Sequence, residues 1–205
     1  MAVTEFALLQ LQPGYDEEKL RQLLARCRHR QDEWAQLGDE NDSLSSMYLG
    51  HFDQSPTLLI TAPWDSPEAH ADWIRTEPNQ ACNRELAEFV RSVNLCHLEP
   101  VGRRARQLRG PFRPQGTTFN VHLFSVPDDR REALTKAYLA LEEEEDKKEN
   151  NDATQDDLWA GWRLEPDHHH QSLVVFWADN FDEERQRRLI ESCDGVQHGR
   201  FRYVV

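Results

Sequence analysis

Hydrophobic positions along the chain follow two alternating patterns, one typical of strands and one typical of helices. Residues 4–11 are rich in apolar, β-compatible side chains and end at Pro13 and Gly14, which predicts a strand followed by a turn. The next apolar residues are spaced i, i+3, i+4 and i+7, so that they fall on one stripe of a helix. These residues are Leu20, Leu23, Leu24 and Cys27.

The rest of the first hundred residues predicts a hairpin, helical segments and a closing strand. Strands are expected at residues 45–52 and 57–62, joined by a short polar connection. A serine, a proline and a glutamate at 66–68 mark a helix start, since they suit the N-cap, the first helical position and the first turn. After an interruption at a proline, a second helical run is expected at 79–93, followed by a strand at 95–101.

The same order of elements recurs in the second half of the chain. A strand at 117–126 ends at Pro127, and a helical stripe follows at the same offsets from Pro127 as the first stripe has from Pro13. The residues of this second stripe are Leu134, Ala137, Tyr138 and Leu141. The later elements are predicted at 158–164, 172–178, 181–192 and 196–205.

The repeat predicts an α+β protein made of two tandem ferredoxin-like β-α-β-β-α-β units. We place the first unit at 1–101, an Arg/Pro-rich linker at 102–116 and the second unit at 117–205, with an acidic loop at 142–157. Two helices cover only one face of each four-stranded sheet, and the bare face would expose several hundred Å² of apolar surface. We therefore expect the two sheets to pack face to face.

Composition and charge limit the classes of partner. The chain has 205 residues, of which 30% are charged, and a formal net charge of -13. This charge disfavours nucleic acids and anionic membranes, and no apolar run reaches the roughly 20 residues of a membrane span. The amino terminus lacks a secretory signal, so we expect a cytoplasmic protein. Its four cysteines are widely spaced, which argues against a disulfide framework or a metal knuckle.

Residues 58–74, LLITAPWDSPEAHADWI, resemble the segment from the third strand to the following helix in antibiotic-biosynthesis-monooxygenase-like proteins. The resemblance implies an intramolecular dimeric α/β barrel, with a ligand held between sheet and helices of the first unit. Members of this superfamily include cofactor-free oxygenases of polyketide quinols and anthrones, heme-degrading monooxygenases, cyclases, isomerases and decarboxylases. One fold thus supports many reactions.

The resemblance argues against heme degradation in this chain. Trp73 matches the tryptophan that distorts the porphyrin in the heme-degrading branch. However, Asn83 stands at the position of the iron-binding histidine, and Ala7 stands at the position of the strand asparagine. We therefore expect an enzyme that uses neither a metal nor an organic cofactor, acting on a hydrophobic aromatic or polyketide-type small molecule by oxygenation, cyclisation or isomerisation.

Candidate site residues follow from the same segment and from nearby histidines. We predict His70 as the catalytic acid or base and Asn83 as a donor to a developing oxyanion. The predicted substrate-binding residues are Trp73, Trp64, His51 and His97. Each residue also has a purely structural interpretation, as a core histidine or a packing tryptophan. The alternative function is a non-catalytic binding or interaction protein that retains the barrel.

Other conspicuous residues are interpreted as structural. His168, His169 and His170 are consecutive and cannot all point one way in a strand, so a hairpin turn is favoured over a metal site. Arginines of the linker are expected on the acidic surface. The alignment of Pro13 with Pro127 places His122 at the interface between the two sheets. We expect a monomer that acts as a pseudo-dimer, and leave further homodimerisation open.

Overall fold

The computed structural model describes residues 1–36, 44–102, 118–146, 158–165, 170–179, 181–191 and 195–205. The elements of the first half are β1 (Val3–Leu11), α1 (Glu17–Trp34), β2 (Ser46–Phe52), β3 (Ser55–Trp64), α2 (Pro67–Ile74), α3 (Glu77–Leu86) and β4 (Val90–Pro100). Those of the second half are β5 (Thr118–Pro127), α4 (Arg131–Asp146), β6 (Leu158–Arg163), β7 (His170–Ala178), α5 (Glu183–Ile190) and β8 (Gly195–Tyr203).

The eight strands form one closed antiparallel barrel in the order β1-β3-β2-β8-β5-β7-β6-β4. Four consecutive positions come from the first half, in the order β4-β1-β3-β2, and four from the second half, in the order β8-β5-β7-β6. Side chains from both halves share one core inside the barrel, and the halves are hydrogen-bonded at two seams, β2–β8 and β4–β6. In the described ranges, closing the barrel gives each strand two neighbouring strands.

Apolar side chains fill both the barrel and the space beneath the helices. The barrel interior is strongly aromatic, with the Phe6 and Phe176 rings 6.0 Å apart in an edge-to-face arrangement. On the outside, the stripe of α1 packs against the first-half strands, and the stripe of α4 packs against the second-half strands. The predicted stripe residues Leu20, Leu24 and Leu134 are all buried. No helix in the described ranges is long and apolar enough to cross a membrane.

Helix starts in the first half follow the capping signals of the sequence. The Ser66 side chain accepts a hydrogen bond from the Ala69 backbone N–H, and Pro67 occupies the first position of α2, as predicted. Thr76 caps α3 in the same way. Pro78 therefore lies in the first turn of a separate helix, where its missing N–H leaves no hydrogen bond unmade.

Two predicted boundaries are wrong. Residues 90–94 belong to β4 rather than to a helix, because they pair with β1, as in the register of Val93 with Leu9. In the acidic stretch, α4 continues to Asp146 and Glu142 is buried, so the predicted loop does not begin at 142. Residues 147–157 lie outside the described residues, as do the linker from 103, His168, His169 and Cys193.

The predicted orientation of His122 is also wrong. His122 lies on the outer face of β5, where its ring is 4.6 Å from that of Trp177. Its strand neighbours Phe119 and Val121 point into the barrel instead. The alignment fails because the spacing between strand and helix differs by one residue in the two halves, and a shift of one residue reverses the face of a strand.

Candidate functional site

A cavity of about 490 Å³ lies between the outer face of the first-half sheet and helices α1, α2 and α3. Its wall is mainly apolar, and it also carries seven polar side chains, which are Glu5, Gln31, His70, Asn79, Asn83, Arg91 and Ser92. The strands contribute Glu5, Ala7, Leu9, Met47, Ile60 and Leu95. The helices contribute Cys27, Gln31, His70, Trp73, Cys82 and Asn83, among others. An apolar cavity with a few converging polar groups is the usual form of a small-molecule site.

Glu5 is a buried carboxylic acid at the wall of this cavity. It extends from the outer face of β1, where its neighbours Ala7 and Leu9 are apolar. Trp64, at the end of β3, donates a hydrogen bond from Nε1 to Glu5 Oε2 at 2.9 Å. The same oxygen lies 3.3 Å from His70 Nε2. Glu5 is thus held by two side chains and has little contact with water.

His70 is positioned by the start of α2. It lies one turn after the Ser66 cap, and its backbone N–H donates to the Ser66 carbonyl at 3.3 Å. The imidazole stacks on Trp64, with ring centres 4.7 Å apart and planes 14° apart. This packing fixes the ring so that Nε2 faces Glu5 and Nδ1 faces His97.

A chain of hydrogen-bonding groups continues from His70 to the protein surface. His70 Nδ1 lies 2.9 Å from Nε2 of His97, on β4. His97 Nδ1 lies 2.6 Å from Oε1 of Glu165, whose side chain is 41% exposed. The backbone N–H of His97 also donates to the Glu165 carboxylate, at 2.9 Å to Oε2. Glu165 follows β6, so the second half supplies the outer end of the series.

Burial and hydrogen bonding set the protonation of this series. Burial raises the pKa of Glu5 to about 7, against a smaller opposing effect of the Trp64 hydrogen bond. Burial and the nearby His97 lower the pKa of His70 to about 4. Burial opposes ionisation of Glu165, but hydrogen bonds from His97 hold its pKa below the ordinary value.

These pKa directions assign the donors and acceptors. A protonated Glu5 donates to His70 Nε2, His70 Nδ1–H donates to His97 Nε2, and His97 Nδ1–H donates to ionised Glu165. Every group in the series is then satisfied, and all donors point outward from the cavity. The opposite arrangement, with the proton at Glu165 and an ionised Glu5, satisfies the same contacts with all donors reversed.

The structure brings together some of the predicted site residues but not all of them. His70, Trp73 and Asn83 line the cavity. Trp73 packs against Trp34 with ring centres 5.2 Å apart, and Asn83 forms a 2.8 Å hydrogen bond with Asn79. Trp64 and His97 stand behind the wall, where they contact Glu5 and His70.

His51 lies away from the cavity. It is exposed near the end of β2, in register with Pro56 on one side and Arg200 on the other. It is not among the residues that line the cavity. Strand alternation places His51 on the same face of β2 as Met47. However, His51 lies near the end of the strand, away from the part of β2 that lines the cavity.

Glu5 and Glu165 are the residues that the sequence analysis missed. Glu5 carries one usable signal, since it is a lone acid on the strand face that also bears Ala7 and Leu9. A carboxylate on a core-facing position is rare unless it has a partner. Glu165 carries no comparable signal, because its contact with His97 spans 68 residues and depends on the β4–β6 seam.

The donor set does not fit heme. Asn83, at the position expected for an iron-binding histidine, offers an amide, and Ala7, at the position expected for the strand asparagine, offers a methyl group. Both ring nitrogens of His70 face protein partners, so this imidazole presents no nitrogen to an iron atom. Among the described residues, no group of three or more His, Cys, Asp or Glu side chains is arranged to hold a metal ion.

In the second half, large aromatic side chains occupy the space beneath the helices. Trp177 stacks on Phe181 with ring centres 5.9 Å apart, and Phe124 and Tyr138 are buried in the same cluster. In this half, burial lowers the pKa of His122 to about 4. Among the residues that the structure describes, rings thus fill the space beneath α4 and α5, whereas a cavity lies beneath α1, α2 and α3 in the first half.

Comparison with solved structures identifies the class of fold. A "putative monooxygenase" of Fusobacterium nucleatum matches all of this chain and 93% of its own, with a TM-score of 0.64 and 8% identity. A second "putative monooxygenase", from Lactobacillus acidophilus, matches with a TM-score of 0.64 and 10% identity over 100% and 94% of the two chains. An "anthrone oxidase-like protein" has a TM-score of 0.60 and 13% identity over 100% and 92%. No family model and no curated protein matches the sequence.

The closed eight-stranded antiparallel barrel with external helices is thus similar to the dimeric α/β-barrel proteins. At these identities the likeness concerns the fold alone. The chain matches over its full length, so both halves take part in the resemblance.

Proposed function

We propose that this protein is a cofactor-independent, monooxygenase-like enzyme that deprotonates a hydrophobic aromatic small molecule in the first-half cavity. The observation that carries the proposal is the contact of Glu5 with His70 at the cavity wall. A carboxyl group with a pKa of about 7 is divided about equally between acid and base at neutral pH. We further propose that the two halves are tandem ferredoxin-like units of the antibiotic-biosynthesis-monooxygenase type.

In this proposal ionised Glu5 removes a proton from an acidic C–H or O–H of the bound molecule. The proton can then move outward by three coordinated transfers, from Glu5 to His70, from His70 to His97 and from His97 to Glu165. Each transfer breaks one bond to hydrogen and forms one on the next atom, so no histidine becomes a cation. This matters because burial disfavours the imidazolium form of His70.

The deprotonated molecule is the species that reacts with dioxygen. Its carbanion forms a C–O bond to dioxygen, and the resulting peroxide accepts the proton returned along the series. Removal of the second C–H proton breaks the O–O bond and releases hydroxide, the proton and the hydroxide combine as water, and a carbonyl group remains. One oxygen atom enters the product and the other enters water, so a CH₂ group becomes C=O without an external reductant. The "anthrone oxidase-like" name of one structural neighbour suggests an anthrone-type ring system as a first substrate to test.

The other cavity residues would bind and orient the substrate. Trp73 presents an apolar ring to the cavity and would stack on a planar aromatic ligand. The Asn83 amide is placed at the wall and would donate to the oxygen that gains negative charge. Trp64 would hold Glu5 and His70 in place without contacting the substrate.

Dioxygen uptake with anthrone as the probe tests the assignment of Glu5. In wild-type protein the rate should rise with pH, with a midpoint near 7, after subtraction of spontaneous oxidation. Glu5→Gln should lower kcat by about 10²-fold to 10⁴-fold, the usual contribution of a general base. Glu99→Gln is the matched control, because this partly exposed acid on β4 pairs with Arg131 rather than with the cavity.

Unchanged turnover in Glu5→Gln would overturn the catalytic assignment. A non-catalytic binding protein is the second candidate, favoured by the close packing of Trp73 on Trp34. That alternative predicts quenching of tryptophan fluorescence by anthrone, weakened in Trp73→Phe, together with no dioxygen uptake above the spontaneous rate.

A further inference from the structure

Two cysteines on neighbouring helices face the same cavity. Cys27 on α1 and Cys82 on α3 are reduced, and both line the cavity wall. The Arg30 guanidinium donates a hydrogen bond from Nη1 to Cys82 Sγ at 3.7 Å. Cys27 and Cys82 also belong to the same buried cluster of side chains. One sulfur atom therefore has a cation and a thiol beside it, within reach of a small molecule in the cavity.

The position of Arg30 is fixed by Glu85, one turn after Cys82 on α3. Arg30 Nη1 also contacts Glu85 Oε1 at 2.7 Å, and Arg26 contacts the other oxygen of this carboxylate at 3.2 Å. Arg30 is the cation that contacts the sulfur, and Glu85 holds Arg30 in place. A cation beside Cys82 favours the thiolate form of this residue.

This environment separates the two thiols in acidity. The Cys27 hydrogen bond and then Arg30 lower the pKa of Cys82 to about 6, against the opposing effects of burial and Glu85. The hydrogen bond to Cys82, together with burial, raises the pKa of Cys27. Cys82 is therefore the more acidic thiol of the pair. Cys96 differs, since burial inside the barrel raises its pKa to about 12.

We propose that Cys27 and Cys82 are a redox-active dithiol that reduces a hydroperoxide entering the cavity. The Cys82 thiolate attacks the outer peroxide oxygen, the O–O bond breaks, and the alkoxide takes a proton to leave as an alcohol. Cys82 becomes a sulfenic acid. The Cys27 sulfur then attacks Cys82 Sγ, releasing water and forming a disulfide. Two thiols and one hydroperoxide give one disulfide, one alcohol and one water, and this step does not depend on the proposed oxygenase function.

Peptide mapping after treatment with one equivalent of cumene hydroperoxide tests the proposal. Wild-type protein should lose two hydrogens in a linked pair of peptides that contain Cys27 and Cys82, while Cys96 stays reduced. Cys27→Ser should stop at the sulfenic acid, which dimedone traps on Cys82. Cys82→Ser should leave Cys27 reduced. An unmodified Cys82, or oxidation of Cys96 at the same rate, would overturn the proposal.

The pH dependence of alkylation by iodoacetamide supplies a second measurement. Acidic thiolates are weaker nucleophiles, so the pH midpoint is more informative than the rate itself. The Cys82 midpoint should lie near 6, against about 8.5 for an ordinary cysteine. Arg30→Gln should move it upward, whereas Arg84→Gln, an exposed arginine of α3 paired with Glu77, should leave it unchanged. A wild-type midpoint at the ordinary value would remove the thiolate from the scheme.

Discussion

Replacing Glu5 with glutamine should stabilise this protein at neutral and alkaline pH, although the substitution removes a proposed catalytic group. Glu5 is buried beside Trp64 and His70, and burial raises its pKa from 4.5 to about 7. A glutamine amide has the shape of the protonated acid. Its amide oxygen can accept from Trp64 Nε1, but the same atom cannot also donate to His70 Nε2, so the variant keeps only the Trp64 bond. The variant therefore matches protonated Glu5 in shape and in lack of charge at every pH, but not in its hydrogen bond to His70.

The sign and size of the effect follow from proton linkage. Between pH 4.5 and about 7, Glu5 binds more protons in the folded than in the unfolded wild-type chain, so wild-type stability falls as pH rises. Each pH unit between the two pKa values corresponds to about 1.4 kcal/mol. The glutamine variant does not lose this stability. Its free energy of unfolding relative to wild type should therefore rise by about 3 kcal/mol between the two pKa values of Glu5.

Two histidines have the opposite dependence. The pKa values of His70 and His122 are lowered to about 4, so each adds stability as pH rises from about 4 to its ordinary 6.5. Both are present in wild type and variant, and their contributions cancel to first order in the difference. Wild-type stability alone would hide the Glu5 effect, which is why the paired comparison is needed.

Urea unfolding of both proteins at about pH 4.5 and about pH 8 measures this difference. The free energy of unfolding of Glu5→Gln relative to wild type should increase by about 3 kcal/mol between the two conditions. Glu132→Gln is the control, because this side chain is 82% exposed and pairs with Lys136. The free energy of unfolding of this control, relative to wild type, should not increase between the two conditions. Lower stability of Glu5→Gln at about pH 8 would refute the reasoning, since it would indicate an ionised Glu5 paired with a protonated His70.

Two further predictions concern the barrel. A side chain at Gly50 would overlap the carbonyl oxygen of Arg200 across the β2–β8 seam, so Gly50→Ala should lower the free energy of unfolding by about 2 kcal/mol or more. Gly195→Ala, whose new Cβ would have its nearest neighbour at 3.9 Å, should change it little, and equal losses in thermal unfolding would contradict the steric argument. Phe176→Ala should cost about 3–5 kcal/mol, because this buried ring contacts Phe6 and Trp159 edge to face. Val93→Ala, at an exposed strand position, is the control in urea unfolding, and a comparable loss there would show that interior packing is not responsible.

The order of elements is predictable from the sequence because each half carries clear periodic and capping signals. Apolar stripes and the caps at Ser66 and Pro67 predict helices that the structure contains. The start of β4 is not predictable in the same way, since Val93 is 61% exposed and its segment lacks a clear alternation. Pairing with β1 decides that segment, and such pairing is tertiary information.

The site is predictable only where it depends on local structure. His70 and Trp73 share one face of a short helix whose start is signalled in the sequence, so their common location follows from helix geometry. The partners of His70 come from β1 and β4, and the segment after β6 supplies the partner of His97. No sequence spacing connects these three elements, because the barrel order brings them together. The orientation of His122 fails for a related reason, as a single residue of offset reverses its strand face.

The differences between the two halves have a common physical explanation. A cavity and a buried acid beside a buried histidine both cost folding free energy, and a chain that contains them needs compensation elsewhere. The second half supplies well-packed rings at Trp177 and Phe181, and it is hydrogen-bonded to the first half along both seams. It also contributes Glu165, whose contact with His97 spans the β4–β6 seam and connects the buried series to solvent. The cost of the cavity and of the buried acid is therefore carried by the whole barrel, because its two halves are hydrogen-bonded along both seams.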